Sequence, residues 1–471
     1  MKKTKIVATL GPASSDKATL TQMIEEGVNV CRINFSHGKH EDHDKVIDTI
    51  REINDENGYH VGILADLQGP KIRVGEVENN GVELIAGEEL IITTNECVGN
   101  AERVYLTYQT FPKDVSVGDL LLLDDGKLKL EVVSTNSEDE VKTKIIHGGI
   151  LSSKKGVNLP NTKISMPSLT EKDRADLEFA LSKDVDWIGL SFVRSARDII
   201  ELKHIISNHK KHAKVIAKIE KPEAVWDIED IIYETDAIMI ARGDLGVEVP
   251  MEKVPTLQKR IIKLARENAK PTIVATQMME SMIMNFAPTR AEVNDVANAV
   301  MDGADAVMLS GETSVGNHPV EVIKAMTKIV KEVENNDEIY HKEELPEKNQ
   351  DRFITDSICF NAARLAKRVD ASGIVTMTFS GYTAYKISSQ RPKANTFVFT
   401  ENRNILTQLN LVWGVEGHFY DKMVSTDHTI NDCKYLLHKY GKVEKGDLVI
   451  NIASTPIEEK GQSNMLKLSY V

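Results

Sequence analysis

The sequence predicts an α/β fold: a (β/α)8 barrel with an inserted all-β lid domain after strand three and a C-terminal α/β domain. Three observations predict it. Eight short β-branched or apolar runs recur, each followed by helical periodicity, as in βα units around a parallel sheet. Residues 71–165 interrupt that alternation with strand-like sequence of another kind. Beyond residue 345 a shorter α/β alternation resumes, and 471 residues are too many for one ordinary core.

The eight runs are Lys5 to Thr9, Val28 to Phe35, Val61 to Asp66, Trp187 to Phe192, Val215 to Ile219, Ala237 to Ala241, Thr272 to Thr276 and Ala306 to Leu309. Eight such units point to a closed barrel, and a doubly wound open sheet would give a similar alternation. The interruption carries VELIAGEELIITT and LLLLDDGKLKLEVV with turn signals DDG and HGG, which predicts an inserted all-β unit. The barrel is thereby divided into residues 1–70 and 166–345, with the lid at 71–165 and the third domain at 346–471. A helix from Pro319 to about Asn335 runs into NNDEIYHKEELPEKNQD, a predicted linker. Gly373 to Phe379, Thr396 to Thr400 and Leu448 to Ala453 are the strands expected beyond it.

Composition narrows the function classes. A net charge of -13 opposes a phosphate backbone, so no nucleic-acid role is expected, and anionic substrates would need locally placed cations. No stretch approaches the ~20 apolar residues of a membrane span, and the N-terminus runs straight into strand-like sequence, so a cytoplasmic protein with no membrane role is expected. Cys31, Cys97, Cys359 and Cys433 lie far apart without a CxxC pair, the pattern of reduced, structural thiols.

In a barrel of this kind the chemistry sits at the carboxyl ends of the strands. Here strand two ends in Arg32, Asn34, Ser36 and His37, and strand three in Asp66. Strand four carries Ser191 and Arg194, and strand five ends Lys218-Ile219-Glu220. Strand six runs into Arg242-Gly243-Asp244, strand seven ends Thr276-Gln277, and strand eight ends Ser310-Gly311-Glu312. Glu220 and Asp244 close adjacent strands, so their carboxylates can converge on one hard cation, Mg²⁺ or Mn²⁺. The competing reading is a rim salt bridge to Lys218 or Arg242. Lys218 stands two residues before Glu220, so an extended strand turns both inward. An inward lysine beside a metal and Arg32 is costly unless a multiply charged anion binds among them, and phosphate fits.

These residues resemble the pyruvate kinase family along nearly the whole chain. The matching stretches are TLGPAS (Thr9 to Ser14), CRINFSHG (Cys31 to Gly38), GPKIR (Gly69 to Arg73), SKKGVNLP (Ser153 to Pro160), AKIEKPE (Ala217 to Glu223), ARGDLGVE (Ala241 to Glu248), ATQMMESM (Ala275 to Met282), PTRAEVNDVANAV (Pro288 to Val300) and LSGETSVG (Leu309 to Gly316). The resemblance implies a kinase that moves the phosphoryl group of phosphoenolpyruvate to ADP, giving pyruvate and ATP at the end of glycolysis. It implies Glu220 and Asp244 as metal ligands, Lys218 as the stabiliser of the phosphoryl group in flight, and Arg32 as its grip. Gly243, Asp244 and Thr276 match the cradle for the substrate carboxylate; Asn34, His37, Arg73 and Lys155 surround the nucleotide phosphates. Ser310 and Thr276 match a proton relay to the enolate. The lid is expected to close over the nucleotide, and the assembly to be a homotetramer. A barrel lyase would need neither Lys218 beside the metal nor the SKKG lid, and a catalytically dead sensor would have lost barrel residues.

Two departures from the family pattern stand out. Many members hold K⁺ on residues matching Asn34, Ser36 and Asp66, with a threonine and a glutamate where this chain has Leu67 and Lys71. Losing an oxygen ligand and gaining an ammonium predicts that K⁺ is not required, with Lys71 replacing its charge. In the third domain, Thr378, Ser380 and Thr383 resemble an effector-phosphate loop, but Phe379 and Tyr382 stand where basic residues often lie. The later loop around Pro456 to Asn464 lacks the tryptophan and arginine of fructose-1,6-bisphosphate-responsive members. A sugar monophosphate, or no effector, is the expectation.

Overall fold

The structure, a computed structural model, describes residues 2–160, 162–348, 351–422, 424–455 and 462–471. Eight parallel strands close a barrel: Lys5–Thr9, Val30–Asn34, Gly62–Asp66, Trp187–Leu190, Lys214–Ile219, Ala237–Ala241, Thr272–Ala275 and Ala306–Leu309. Each pairs with its neighbours in sequence, and the first closes on the eighth in the register Lys5 to Ala306. The open-sheet alternative is thereby excluded. Alternate side chains fill two layers. Val7, Val30, Leu64, Trp187, Ile216, Met239, Ile273 and Met308 pack in one cluster, joined by Leu411 of the third domain. Ile6, Ala8, Cys31, Ile33, Ile63, Ile188, Val215, Ile238 and Val307 pack with the helices in another. Burial on both faces explains why these strands are continuous apolar runs.

Several strands are shorter than the sequence suggests. The fourth stops at Leu190 and the seventh at Ala275, because Phe192 (φ 54), Thr276 (φ 69) and Gln277 (φ 54) are left-handed and cannot continue a strand. These turns shape the barrel mouth.

The insertion folds on its own core, which includes Leu90, Ile92, Val104, Phe111, Leu121, Leu130, Val141 and Ile145. It holds a six-stranded sheet and a two-stranded sheet, plus short helical turns at Glu78–Asn80 and Phe111–Asp114. The DDG signal forms the hairpin between Leu120–Leu123 and Leu128–Thr135, with Asp124 (φ 49), Asp125 (φ 55) and Gly126 (φ 85) all left-handed. The chain enters and leaves this unit side by side: Val157 N donates to Ile72 O (3.0 Å) and Val74 N to Lys155 O (2.9 Å).

The third region carries a five-stranded sheet in the order Val415–Phe419, Asn395–Thr400, Gly373–Met377, Leu448–Ala453, Met465–Tyr470; only the last strand is antiparallel. The first and last of these were not foreseen. Gly417 and His418 break the β-branched pattern of one, and Met465–Tyr470 is an edge strand that is largely exposed. The predicted linker is also not free chain. Ile339 and Tyr340 are buried against Trp413, and Arg266 pairs with Glu344 at 2.9 Å, so apolar burial and an ion pair dock the segment. Part of the effector-type loop around Pro456 to Asn464 lies outside the described residues.

Candidate active site

The carboxyl ends of strands two to five bring one acid–base network together. Arg32 donates from Nε to Asp66 Oδ2 at 2.7 Å and from one terminal nitrogen to Thr9 Oγ1 at 2.9 Å. Lys218 Nζ stands 3.1 Å from Asp66 Oδ1 and 3.1 Å from Glu220 Oε1, and donates to Ser191 Oγ at 2.6 Å. Glu220 Oε2 accepts from Phe192 N at 2.7 Å, an amide that the left-handed turn at Phe192 presents. Gly189 makes room for this cluster, since a Cβ there would lie 2.9 Å from Asp66 Oδ1.

Charge balance in the network follows from burial against pairing. Burial pushes the Asp66 carboxyl up, but Lys218 and Arg32 outweigh it and hold it below the usual range. Burial pulls the Lys218 ammonium down, and Asp66 and Glu220 more than restore it, so its pKa is raised. Glu220 ends the other way: burial raises its carboxyl, the charge of Asp244 adds to that, and Lys218 only partly opposes them. A buried carboxylate pushed up by a second acid is a site that a cation would relieve.

Glu220 and Asp244 fit a divalent ion by the chemistry of their donors, two hard carboxylates with no imidazole or thiolate. Mg²⁺ is usually held by one or two carboxylates together with substrate phosphates. This agrees with there being, among the described residues, no group of three or more His, Cys, Asp or Glu side chains placed to hold an ion. The rim-bridge reading is met only in part. Lys218 does pair with Glu220, whereas Arg242 turns to Asp295 with two 2.7 Å contacts and to Thr276 O at 2.7 Å. Arg242 thus braces the left-handed Thr276. The Thr276 hydroxyl accepts from Gly243 N at 2.8 Å and donates to Ala275 O at 2.6 Å. Ser310 follows the eighth strand, its amide capped by Glu312 Oε2 at 2.7 Å.

Beside this network, Ser36, His37 and Arg73 line one cleft between the barrel and the insertion, with Cys97 among its walls. Cys97 is therefore not a core thiol like Cys31, Cys359 and Cys433, which are buried. Partial burial first, then Arg73, Lys71 and Arg32, lower the His37 pKa, which marks convergent positive charge. Asn34 Oδ1 accepts from Ser36 N at 3.1 Å, and Arg73 donates to Lys154 O at 3.0 Å. Lys155 is held by Asp124 of the insertion's own hairpin at 2.9 Å.

Two expectations need correction. The Lys71 ammonium does not sit with Asp66, which Arg32 and Lys218 occupy; it lies 3.9 Å from Asp244 Oδ1. In the effector-type loop, Thr383 falls in the first turn of the helix Tyr382–Ser389 and turns inward, buried with its hydroxyl 3.0 Å from that of Thr376. Thr378 Oγ1 accepts from Gly381 N at 3.0 Å and Ser380 Oγ from Tyr382 N at 3.5 Å. Sequence reasoning placed Ser191 at the mouth without a partner and assigned no part to Gly189, Asp295 or Glu248. The signal for Gly189 was its place on the fourth strand beside the mouth.

Such a mouth, with acids, a lysine and an arginine gathered beside a β insertion, defines a barrel enzyme of anionic substrates. Comparison with known proteins narrows the class. A family model described as the pyruvate kinase barrel domain matches residues 1–323, and one for the pyruvate kinase alpha/beta domain matches residues 356–469. The pyruvate kinase of Geobacillus stearothermophilus is 43% identical over 474 residues, covering 100% of this chain and 80% of that one. That of Corynebacterium efficiens is 45% identical over 466 residues, covering 99% and 97%. A crystal structure of a pyruvate kinase from Cryptosporidium parvum superposes with a TM-score of 0.93 at 35% identity, covering 100% of this chain and 96% of its own. The chain belongs to the pyruvate kinase family, and it is a phosphotransferase. No helix among the described residues is long and apolar enough to cross a membrane.

Proposed function

We propose that this chain transfers the phosphoryl group of phosphoenolpyruvate to ADP, giving pyruvate and ATP. The observation that carries the reading is the Lys218 ammonium held 3.1 Å from both Asp66 and Glu220 at the barrel mouth. A transferring phosphoryl group spreads negative charge over its oxygens, so catalysis is positioning plus electrostatic stabilisation. Arg32, oriented by Asp66 and Thr9, grips the phosphate; Lys218 faces the charge that develops in transfer. Glu220 and Asp244 would hold Mg²⁺ or Mn²⁺, which when bound neutralises phosphate charge. Gly243, Asp244 and Thr276 receive the substrate carboxylate. Asn34, His37, Arg73 and Lys155 bind the nucleotide phosphates once Lys155 leaves Asp124, and the insertion excludes water as a lid. Thr276 and Ser310 stand for the proton relay to the enolate.

The division into barrel (1–70 and 166–345), lid (71–165) and third domain (346–471) belongs to the same reading, as do a cytoplasmic address and a homotetramer. Leu468 and Tyr470, exposed on an edge strand, suit a subunit contact. K⁺ is not required: Leu67 offers no side-chain oxygen, and the Asp66 carboxylate is already paired with Arg32 and Lys218. A sugar-phosphate effector would have to use Thr378 and Ser380, and isothermal titration of sugar monophosphates tests it. The decisive experiment is a coupled assay of ADP-dependent pyruvate formation with Mg²⁺, in K⁺ and in tetramethylammonium buffer. No pyruvate formation overturns the kinase reading, and a more than roughly tenfold drop without K⁺ overturns the cation reading alone.

A further inference from the structure

We propose that Asn158 and Glu248 form a latch that sets the insertion over the barrel mouth and couples the nucleotide side of the site to the metal side. The inference rests on the phosphotransfer reading above and adds two positioning residues to it. Glu248 closes the helix Arg242–Glu248, whose first turn carries Gly243 and Asp244. Its side chain is fully buried, and Oε1 receives Lys221 Nζ at 2.6 Å and Asn158 Nδ2 at 2.8 Å. Lys221 directly follows Glu220. Asn158 lies on the insertion, three residues past Lys155, and its neighbour Val157 is tied to Ile72.

The latch therefore joins the segment that carries Lys155 to the helix that carries Asp244 and to the loop that carries Glu220. Burying a carboxylate is costly, and the cost is offset only while both donors stay in place. Glu248 Oε2 is buried without a hydrogen-bond partner, so Oε1 carries the whole attachment. Other contacts lie along the same seam. Arg194 donates to Ile164 O at 2.7 Å, and a Cβ on Gly126, at the tip of the hairpin, would lie 3.9 Å from Val247. The hairpin that holds Lys155 through Asp124 thus lies close to the same helix. Anything that steadies this helix from the mouth steadies the lid, and by linkage a seated nucleotide steadies the helix.

Kinetics of full-length variants test this. Asn158→Ala removes a hydrogen bond to a charged group, and the KM for ADP is expected to rise about tenfold with kcat within about threefold. In that variant the KM for ADP should also lose its dependence on phosphoenolpyruvate concentration. Asn158→Asp, which sets two carboxylates against each other, should be worse, and adding Glu248→Gln to it should recover part of the binding, because one carboxylate then again faces the one Lys221 ammonium. A purely structural role would give no such rescue. Should the double variant fail to fold, amide exchange at 71–74 and 155–159 in Asn158→Ala decides, with faster exchange supporting the latch. An unchanged KM for ADP in Asn158→Ala, Asn158→Asp no worse than Asn158→Ala, a folded double variant without recovery, or unchanged exchange overturns it. The unaltered enzyme's own turnover tests the kinase reading separately.

Discussion

Replacing Lys218 with methionine removes an ammonium and keeps most of its volume. Three contacts go: Asp66 and Glu220 at 3.1 Å each and Ser191 at 2.6 Å. Losing one preorganised donor to developing charge costs about 10²–10³ in kcat, or roughly 2.7–4 kcal/mol. A second effect follows from the carboxylates left behind. Asp66 keeps Arg32, but Glu220 loses the group that most opposes its burial, so its carboxyl moves further up. The variant should therefore need more Mg²⁺ as well as turn over slowly, and raising the pH should recover part of the metal binding but not the kcat. Breaking a buried pair also costs on the order of 3–5 kcal/mol, reduced here because Asp66 stays paired. Pyruvate formation measured against Mg²⁺ concentration at two pH values separates these effects. A kcat within about tenfold of the unaltered enzyme would refute the role given to Lys218.

Gly189→Ala places a Cβ 2.9 Å from Asp66 Oδ1 on the fourth strand, so Asp66 and its two cations must shift; kcat should fall about tenfold, and a variant with unchanged kcat shows that the Asp66 position does not matter. Glu220→Gln removes the buried ligand charge, and Mn²⁺ affinity, read by direct titration without substrates, should drop about tenfold or more; equal affinity removes Glu220 from the metal site. His418, stacked on Phe399 with centroids 5.2 Å apart, has its pKa lowered by burial to about 4, so the unfolded chain takes up a proton that the fold refuses. This contribution is complete above about 6.5 and is lost as the pH falls toward about 4, by at most about 3 kcal/mol. Urea midpoints of His418→Gln at pH 7.5 and 4.5 should show a shallower pH dependence than the unaltered chain, and an identical slope counts against the reasoning.

The barrel strands were legible because burial on both faces writes them as unbroken β-branched and apolar runs. Their closure was legible only through the count of eight βα units, since nothing in Lys5–Thr9 itself names Ala306–Leu309 as its second neighbour. Arg32, Lys218, Glu220 and Asp244 could be picked out because strand ends place them in one ring. Partners chosen by long-range packing stayed hidden. The Glu248 contact with Asn158 spans two folding units, and Lys71 prefers Asp244 for reasons that only the turn at Gly69 and the path of the insertion settle. Thr383 sits in a helix first turn, where hydroxyls suggest a ligand, yet the strand behind it takes the hydroxyl first.

The closure of the first strand on the eighth bears on how the molecule is made. Lys5 waits for Ala306, about three hundred residues later, and Lys5 Nζ finally donates to Val415 O at 2.8 Å, later still. At about 5–20 residues per second, this strand spends roughly 15–60 s of synthesis with one edge unpaired. Its five residues are apolar or β-branched after the lysine, so a nascent chain stalled before residue 306 should be a favoured client for holdase chaperones. Emergence of Ala306–Leu309, rather than any event local to Lys5–Thr9, is then the step that ends its exposure.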